Sequence, residues 1–204
     1  MLLAHMKSHI CLPILASLAL ASMASATTVG LPGGELVTTW DTFPGVAFDS
    51  DLPDTSDAPL TATLDSYTSG YLTGGGDRIY SGGNSFSMEI SGEATETISS
   101  VTLIMKYTAP SAYTAESYFS IASDGLTLAS ATPEYLGSVT EGSNTFEIYA
   151  WTFSGLDSGE SYSISISSEA DHVSLDAIQL MVPEPSSAML GILGAGLLMI
   201  RRRK

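Results

Sequence analysis

From Ser85 onward the chain alternates apolar and polar residues with a period of two. Phe86, Met88 and Ile90 fall on one side of such a segment, with Ser85, Ser87 and Glu89 on the other. Val101, Leu103, Met105 and Tyr107 alternate in the same way with Thr102, Ile104 and Lys106. A period of two belongs to strands, because successive side chains point to opposite faces of a sheet. Tyr162, Ile164 and Ile166 alternate with serines, so that strand has one buried and one wet face. Thr145–Phe153 is apolar on both faces, as a central strand would be. Glu116–Ser123 and Leu126–Ala131 flank Asp124-Gly125, a short-hairpin signal. His172–Leu180 closes the series and Leu36–Trp40 opens it. Thr27–Gly34 reads as a leader, and Asp41–Pro59 and Ser69–Asn84 as irregular stretches rich in Asp, Pro and Gly. The pattern predicts an all-β sandwich of about eight to ten strands, of jelly-roll type. No internal repeat points to a solenoid or propeller.

Two segments break the alternation. Near the start, Lys7 precedes an apolar run from Ile10 to Ala21, and Ala24-Ser25-Ala26 has the small-x-small form of a signal-peptidase site. Residues 1–26 are thus expected to be a signal peptide, with Met6 a second possible start. A retained N-terminal anchor is the alternative. Near the end, the run Ala188–Ile200 is followed by Arg201, Arg202, Arg203 and Lys204. With Ser186 and Ser187 counted, a helix there reaches about 22 Å, against about 30 Å for a bilayer core. The basic cluster stays on the cytoplasmic side and its long stems lengthen the effective span. The run has no polar face for packing on a domain. Ahead of it, Pro183 and Pro185 fix the backbone around Glu184 and leave an extended peptide. The chain therefore divides into a signal peptide (1–26), a β-sandwich ectodomain (27–182) and a tail (183–204).

Val182-Pro183-Glu184-Pro185, a short apolar helix and a terminal basic cluster together resemble the PEP-CTERM sorting signal. The resemblance covers only the end of the chain. It implies that Pro183, Glu184 and Pro185 are read by an exosortase, and that the helix and basic tail are removed on export. It further implies a Gram-negative-type bacterium, a destination at the cell envelope, cell surface or extracellular matrix, and an association with exopolysaccharide and biofilm. The signal occurs on many unrelated domains, so it speaks of destination and not of biochemistry. An uncleaved single-pass anchor is the other use of such a tail.

Charge sharpens the picture of the ectodomain. All 22 acids lie between Glu35 and Glu184, where Arg78 and Lys106 are the only Lys or Arg residues, so the segment carries 2 − 22 = −20. A surface this acidic repels nucleic acid and anionic lipid. Cys11, the single cysteine, falls in the signal peptide, so the ectodomain has neither disulfide nor thiolate chemistry. Its one histidine, His172, supplies at most one imidazole to a catalytic or metal site. Glu147 and Glu160 lie on or beside predicted strands, and no carboxylate pair stands out as a glycosidase dyad. The expectation is a non-enzyme, with a small secreted carbohydrate-active enzyme as the alternative.

Two short segments are similar to secreted carbohydrate-binding jelly rolls: His172–Leu180, and Trp40-Asp41-x-Phe43. That resemblance implies a structural calcium on Asp176, with Asp41 as a weaker companion. Asp49, Asp51, Asp54 and Asp57 form a second acidic cluster, whose spacing and Pro53 do not fit an EF-hand. For a polysaccharide partner, Tyr67, Tyr71, Tyr80 and Tyr113 lie in or near loops, where a flat ring can stack on a sugar. Trp40 and Trp151 sit within strands and are expected in the core.

Overall fold

A computed structural model describes residues 31, 36–74, 77–108, 119–168, 170 and 172–183. The remaining residues include Ala24, Ala26, Tyr113, Glu184, Pro185 and Arg201–Lys204. The expected signal peptide, sorting helix and basic terminus therefore lie outside the described residues.

Thirteen strands are described: β1 (Leu36–Trp40), β2 (Phe48–Asp51), β3 (Thr55–Ser56), β4 (Leu60–Ser66), β5 (Tyr71–Thr73), β6 (Arg78–Tyr80), β7 (Phe86–Ala94), β8 (Ile98–Thr108), β9 (Ser120–Asp124), β10 (Glu134–Glu141), β11 (Asn144–Leu156), β12 (Ser161–Ser168) and β13 (Ser174–Val182). They form two antiparallel sheets. The first runs β10-β11-β8-β13-β1-β3, with β6 also on β13 and β5 on β6. The second runs β2-β4-β7-β12-β9. Their facing sides enclose one core, as a β-sandwich requires.

The core follows from the alternation. Leu60, Ala62 and Leu64 of β4, Phe86, Met88 and Ile90 of β7, and Tyr162, Ile164 and Ile166 of β12 face inward from the second sheet. Val101, Leu103, Met105 and Tyr107 of β8 meet them from the first. Trp40 and Trp151 are both in this core, as their strand positions predict. Phe119 makes edge contacts with Phe86, Tyr107 and Trp151, the geometry that aromatic quadrupoles favour.

Three expectations change. The stretches read as irregular hold β2 and β3, and β5 and β6, all two to four residues long. Strands this short carry no measurable period; β2 pairs with β4, β3 with β1 and β6 with β13, while β5 pairs with the adjacent β6. The Asp124-Gly125 hairpin does not form. Gly125 does turn the chain, with φ of 79°, in space where a Cβ would meet the Ser161 carbonyl. However, β9 pairs with β12 in the second sheet, whereas Leu128 bridges to Phe153 in the first. The turn thus crosses between sheets, and buried Leu126 follows it into the core. A two-residue hairpin is found instead at Gly142-Ser143, between β10 and β11, where Gly142 has φ of 61°.

The third change concerns the outer face of the first sheet. Antiparallel sheets commonly leave one face in water. Here a second apolar cluster (Ile104, Ile148, Ala150 and Ala177) lies on the outer side of β8, β11 and β13. Leu31, from the predicted leader, packs on it. This explains why Thr145–Phe153 reads as apolar on both faces.

Candidate functional site

Below that cluster, the same outer face gathers four charged side chains. In β8 the inward positions are Met105 and Tyr107, so Lys106 points outward with Ile104. Strand β6 lies along the start of β13, pairing Tyr80 with Ser174 and Ile79 with Leu175, which sets Arg78 beside Asp176. Asp176 itself sits at a register shift: Leu175 pairs with Tyr107 and Ala177 with Lys106, so one extra residue stands between them. Strict parity would put Asp176 with Ile178 and Leu180. The bulge frees it from that parity and turns it to the charged face instead, still buried. Glu141 arrives from the end of β10, just before the Gly142-Ser143 turn.

The four groups close a ring. Asp176 Oδ1 accepts from Arg78 Nε at 2.5 Å, and its Oδ2 lies 2.6 Å from Lys106 Nζ. Glu141 Oε1 is 2.5 Å from Lys106 Nζ, and its Oε2 is 3.0 Å from Arg78 Nη2. Each carboxylate thus bridges both cations. Phe146 of β11 lies beneath, its ring centroid 4.6 Å from Arg78 Cζ and 5.1 Å from Lys106 Nζ. The Lys106 and Asp176 side chains are only 1% and 8% exposed, whereas Arg78 and Glu141 form the rim at 20% and 27%. Asp176, by its hydrogen bond, pushes the Arg78 guanidinium above its ordinary range; burial opposes the shift, and the charges of Asp176 and Glu141 add to it.

Both oxygens that Asp176 would offer a calcium ion are therefore held by side-chain cations. Asp41 has no part in this ring. Its amide donates to Asp54 Oδ2 at 2.8 Å, and the Thr42 amide and hydroxyl bind the same carboxylate. Partial burial works against the charged form of Asp54, but these hydrogen bonds from Thr42 and Asp41 win and hold its carboxyl below the usual range. Asp51 is shifted the other way, by burial and by the nearby Asp54 charge. Asp65 accepts from the Ser50 amide. Asp54 thus latches the approach to β3 onto the end of β1, and Asp65 of β4 holds β2. Among the described residues, no group of three His, Cys, Asp or Glu side chains has metal-binding geometry.

The tyrosines divide. Tyr71 and Tyr67 are exposed, at 68% and 57%. Tyr71 is opposite Tyr80 on the first sheet. Tyr80 stacks on His172 with ring centroids 5.8 Å apart, and its hydroxyl is 2.5 Å from Nδ1. His172 adopts φ of 60°, a conformation uncommon outside glycine. Tyr67 continues the outer row of β4 beside Asp65, which pairs with Glu89 of β7. Desolvation and the carboxylates of Asp65, Glu89 and Asp49 push its hydroxyl upward. Glu160 receives the Asp157 amide and closes the turn into β12, and Glu147 lies half-buried in β11.

The sequence reading missed the ring as a unit. Its members come from β6, β8, β10 and β13, which only the topology brings together. One signal was present: the ectodomain has just two Lys or Arg residues, and both are in the ring.

Pro183, the one member of the sorting motif that is described, is exposed and follows directly on β13. Val182 before it is buried and pairs with Leu36, the first residue of β1. Compared with family models, with curated proteins and with solved structures, the chain matches none.

Proposed function

We propose that this chain is an exported, non-catalytic β-sandwich that acts at the cell envelope, the cell surface or in the extracellular matrix. In this reading signal peptidase removes residues 1–26. An exosortase then reads Pro183-Glu184-Pro185 and cuts, after the basic terminus and apolar run have held the chain in the membrane. The observation that carries the reading is the pairing of Leu36 with Val182. Paired antiparallel Cα atoms are about 5 Å apart. In this reading the two export segments attach to the same end of one sandwich, and β13 ends immediately before Pro183. A sorting signal must project from a finished domain to enter a membrane enzyme, and the exposed Pro183 fits that need. Mass spectrometry of the mature protein from its native host tests it. The expected C-terminus falls near Pro185, and recovery of Arg201–Lys204 would leave an uncleaved anchor.

The partner proposed is a polysaccharide. Exposed Tyr71 and Tyr67 offer flat rings at the surface, and a domain of such negative charge fits a neutral or cationic glycan better than an anionic one. Tyr71→Ala is expected to weaken retention in native gels containing the host polysaccharide without changing the melting temperature. Equal retention of the variant counts against Tyr71 as a contact. We also read the sandwich as a relative of the jelly roll. From β7 onward the chain crosses between sheets after β7, β8, β9, β11 and β12, while the terminal strands β1 and β13 lie side by side.

A further inference from the structure

We infer that Lys106 and Asp176 condense to an intramolecular isopeptide bond that ties β8 to β13. The observation is the joint placement of a buried amine, a buried carboxyl group and a second carboxylate at the rim beside them. Lys106 Nζ lies 2.6 Å from Asp176 Oδ2 and 2.5 Å from Glu141 Oε1, and it is 1% exposed. Reacting atoms held at this separation need no diffusive encounter, so the step becomes unimolecular. Asp176 stands on a bulge, which aims its carboxyl across to the neighbouring strand rather than along its own ladder.

The ring supplies each part of an acyl transfer. Lys106 first passes one proton to Asp176 Oδ2, giving an amine beside a carboxylic acid. The nitrogen lone pair attacks Asp176 Cγ and forms the Nζ–Cγ bond. Negative charge develops on Oδ1, where Arg78 Nε already donates at 2.5 Å. Glu141 takes a second proton from Nζ and returns it to Oδ2. The Cγ–Oδ2 bond then breaks, its electron pair leaves with the oxygen, and water departs. Nζ keeps one hydrogen, Oδ1 becomes the amide carbonyl, and Glu141 ends as it began. No oxidant or cofactor enters the balance. The ground state favours the change: a buried ion pair carries a desolvation cost on both charges, and condensation removes both together. Arg78 and Glu141 remain as a pair at the rim. The bond would give an exported domain without cysteines the covalent closure that disulfides give others.

The test is peptide mapping of the full-length chain. Digestion after glutamates places Lys106 in the 97–116 peptide and Asp176 in the 170–204 peptide, because the Glu184–Pro185 bond resists cleavage. The expected product is one branched species of both peptides, lighter than their sum by one water, and trypsin is expected not to cleave after Lys106. Glu141→Gln is expected to fold and yet to yield largely separate peptides, a result that a merely structural role for Glu141 would not produce. Lys106→Arg keeps the positive charge without an amine and serves as the linear control. Separate 97–116 and 170–204 peptides from the unmodified chain overturn the inference, and no variant has to fold for that outcome to be read.

Discussion

The two outer faces of this sandwich solve opposite problems. On the second sheet, Thr61, Thr63, Ser87, Ser91, Ser163, Ser165 and Ser167 form rows of hydroxyls that stay half-buried or exposed. They satisfy one another and the nearby backbone, as Thr63 does with Ser91 at 3.2 Å. The first sheet hides its outer face instead, with Leu31 over an apolar patch and Phe146 under a ring of four charges. Hydroxyl rows tolerate water and need no partner layer. Lysine and aspartate this deeply buried need one another, because each alone would be a desolvated charge. The contrast also accounts for the charge of the domain. Both Arg78 and Lys106, the only Lys or Arg between Glu35 and Glu184, are used inside one neutral ring, so the net charge of the segment rests on its remaining acids.

The largest expected effect is at the centre of the ring. Lys106→Ala leaves Asp176 with one cation fewer in a buried site and is expected to cost about 3–5 kcal/mol, read from urea unfolding. If that variant unfolds with wild-type stability, the hidden face does not depend on its charges. EDTA is expected to leave the wild-type melting temperature unchanged, since Arg78 and Lys106 occupy the Asp176 carboxyl group whether or not the bond to Lys106 has formed. A fall on chelation would instead favour calcium at Asp176. A smaller effect, about 2–3 kcal/mol, is expected for Leu31→Ala, which uncovers the second apolar cluster. The matching change on the open face, Ser165→Ala, is expected to stay within about 0.5 kcal/mol. Equal losses from the two substitutions would erase the distinction between the faces.

What could be read in advance follows the same division. The wet face made β7 and β12 regular, and the serine alternation of Tyr162–Ile166 matched its strand residue by residue; β4 has the same alternation, which the sequence reading passed over. Leu36–Trp40 is β1 with the bounds expected of it. The hidden face was harder to read. A strand apolar on both sides signals burial, but it does not say that Leu31 supplies the cover. The parity of Asp176 with Ile178 and Leu180 pointed to partial burial; the residue is buried more fully than that, and its direction depends on a bulge that no local pattern marks. Asp124-Gly125 is a true turn, but a turn motif says nothing about whether the next strand returns to the same sheet. There the neighbours were chosen by Leu126 and Leu128, whose apolar partners lie in the core and on β11.

The position of β13 has a mechanical consequence. Pro183 continues it directly, so a pull on the tail is applied along this strand. Strand β13 is hydrogen-bonded to β1 on one side and to β8 on the other. Such a load acts in shear on both ladders at once, instead of peeling a free edge one bond at a time. The strand that leads out of the domain is thus an interior strand, held on both sides.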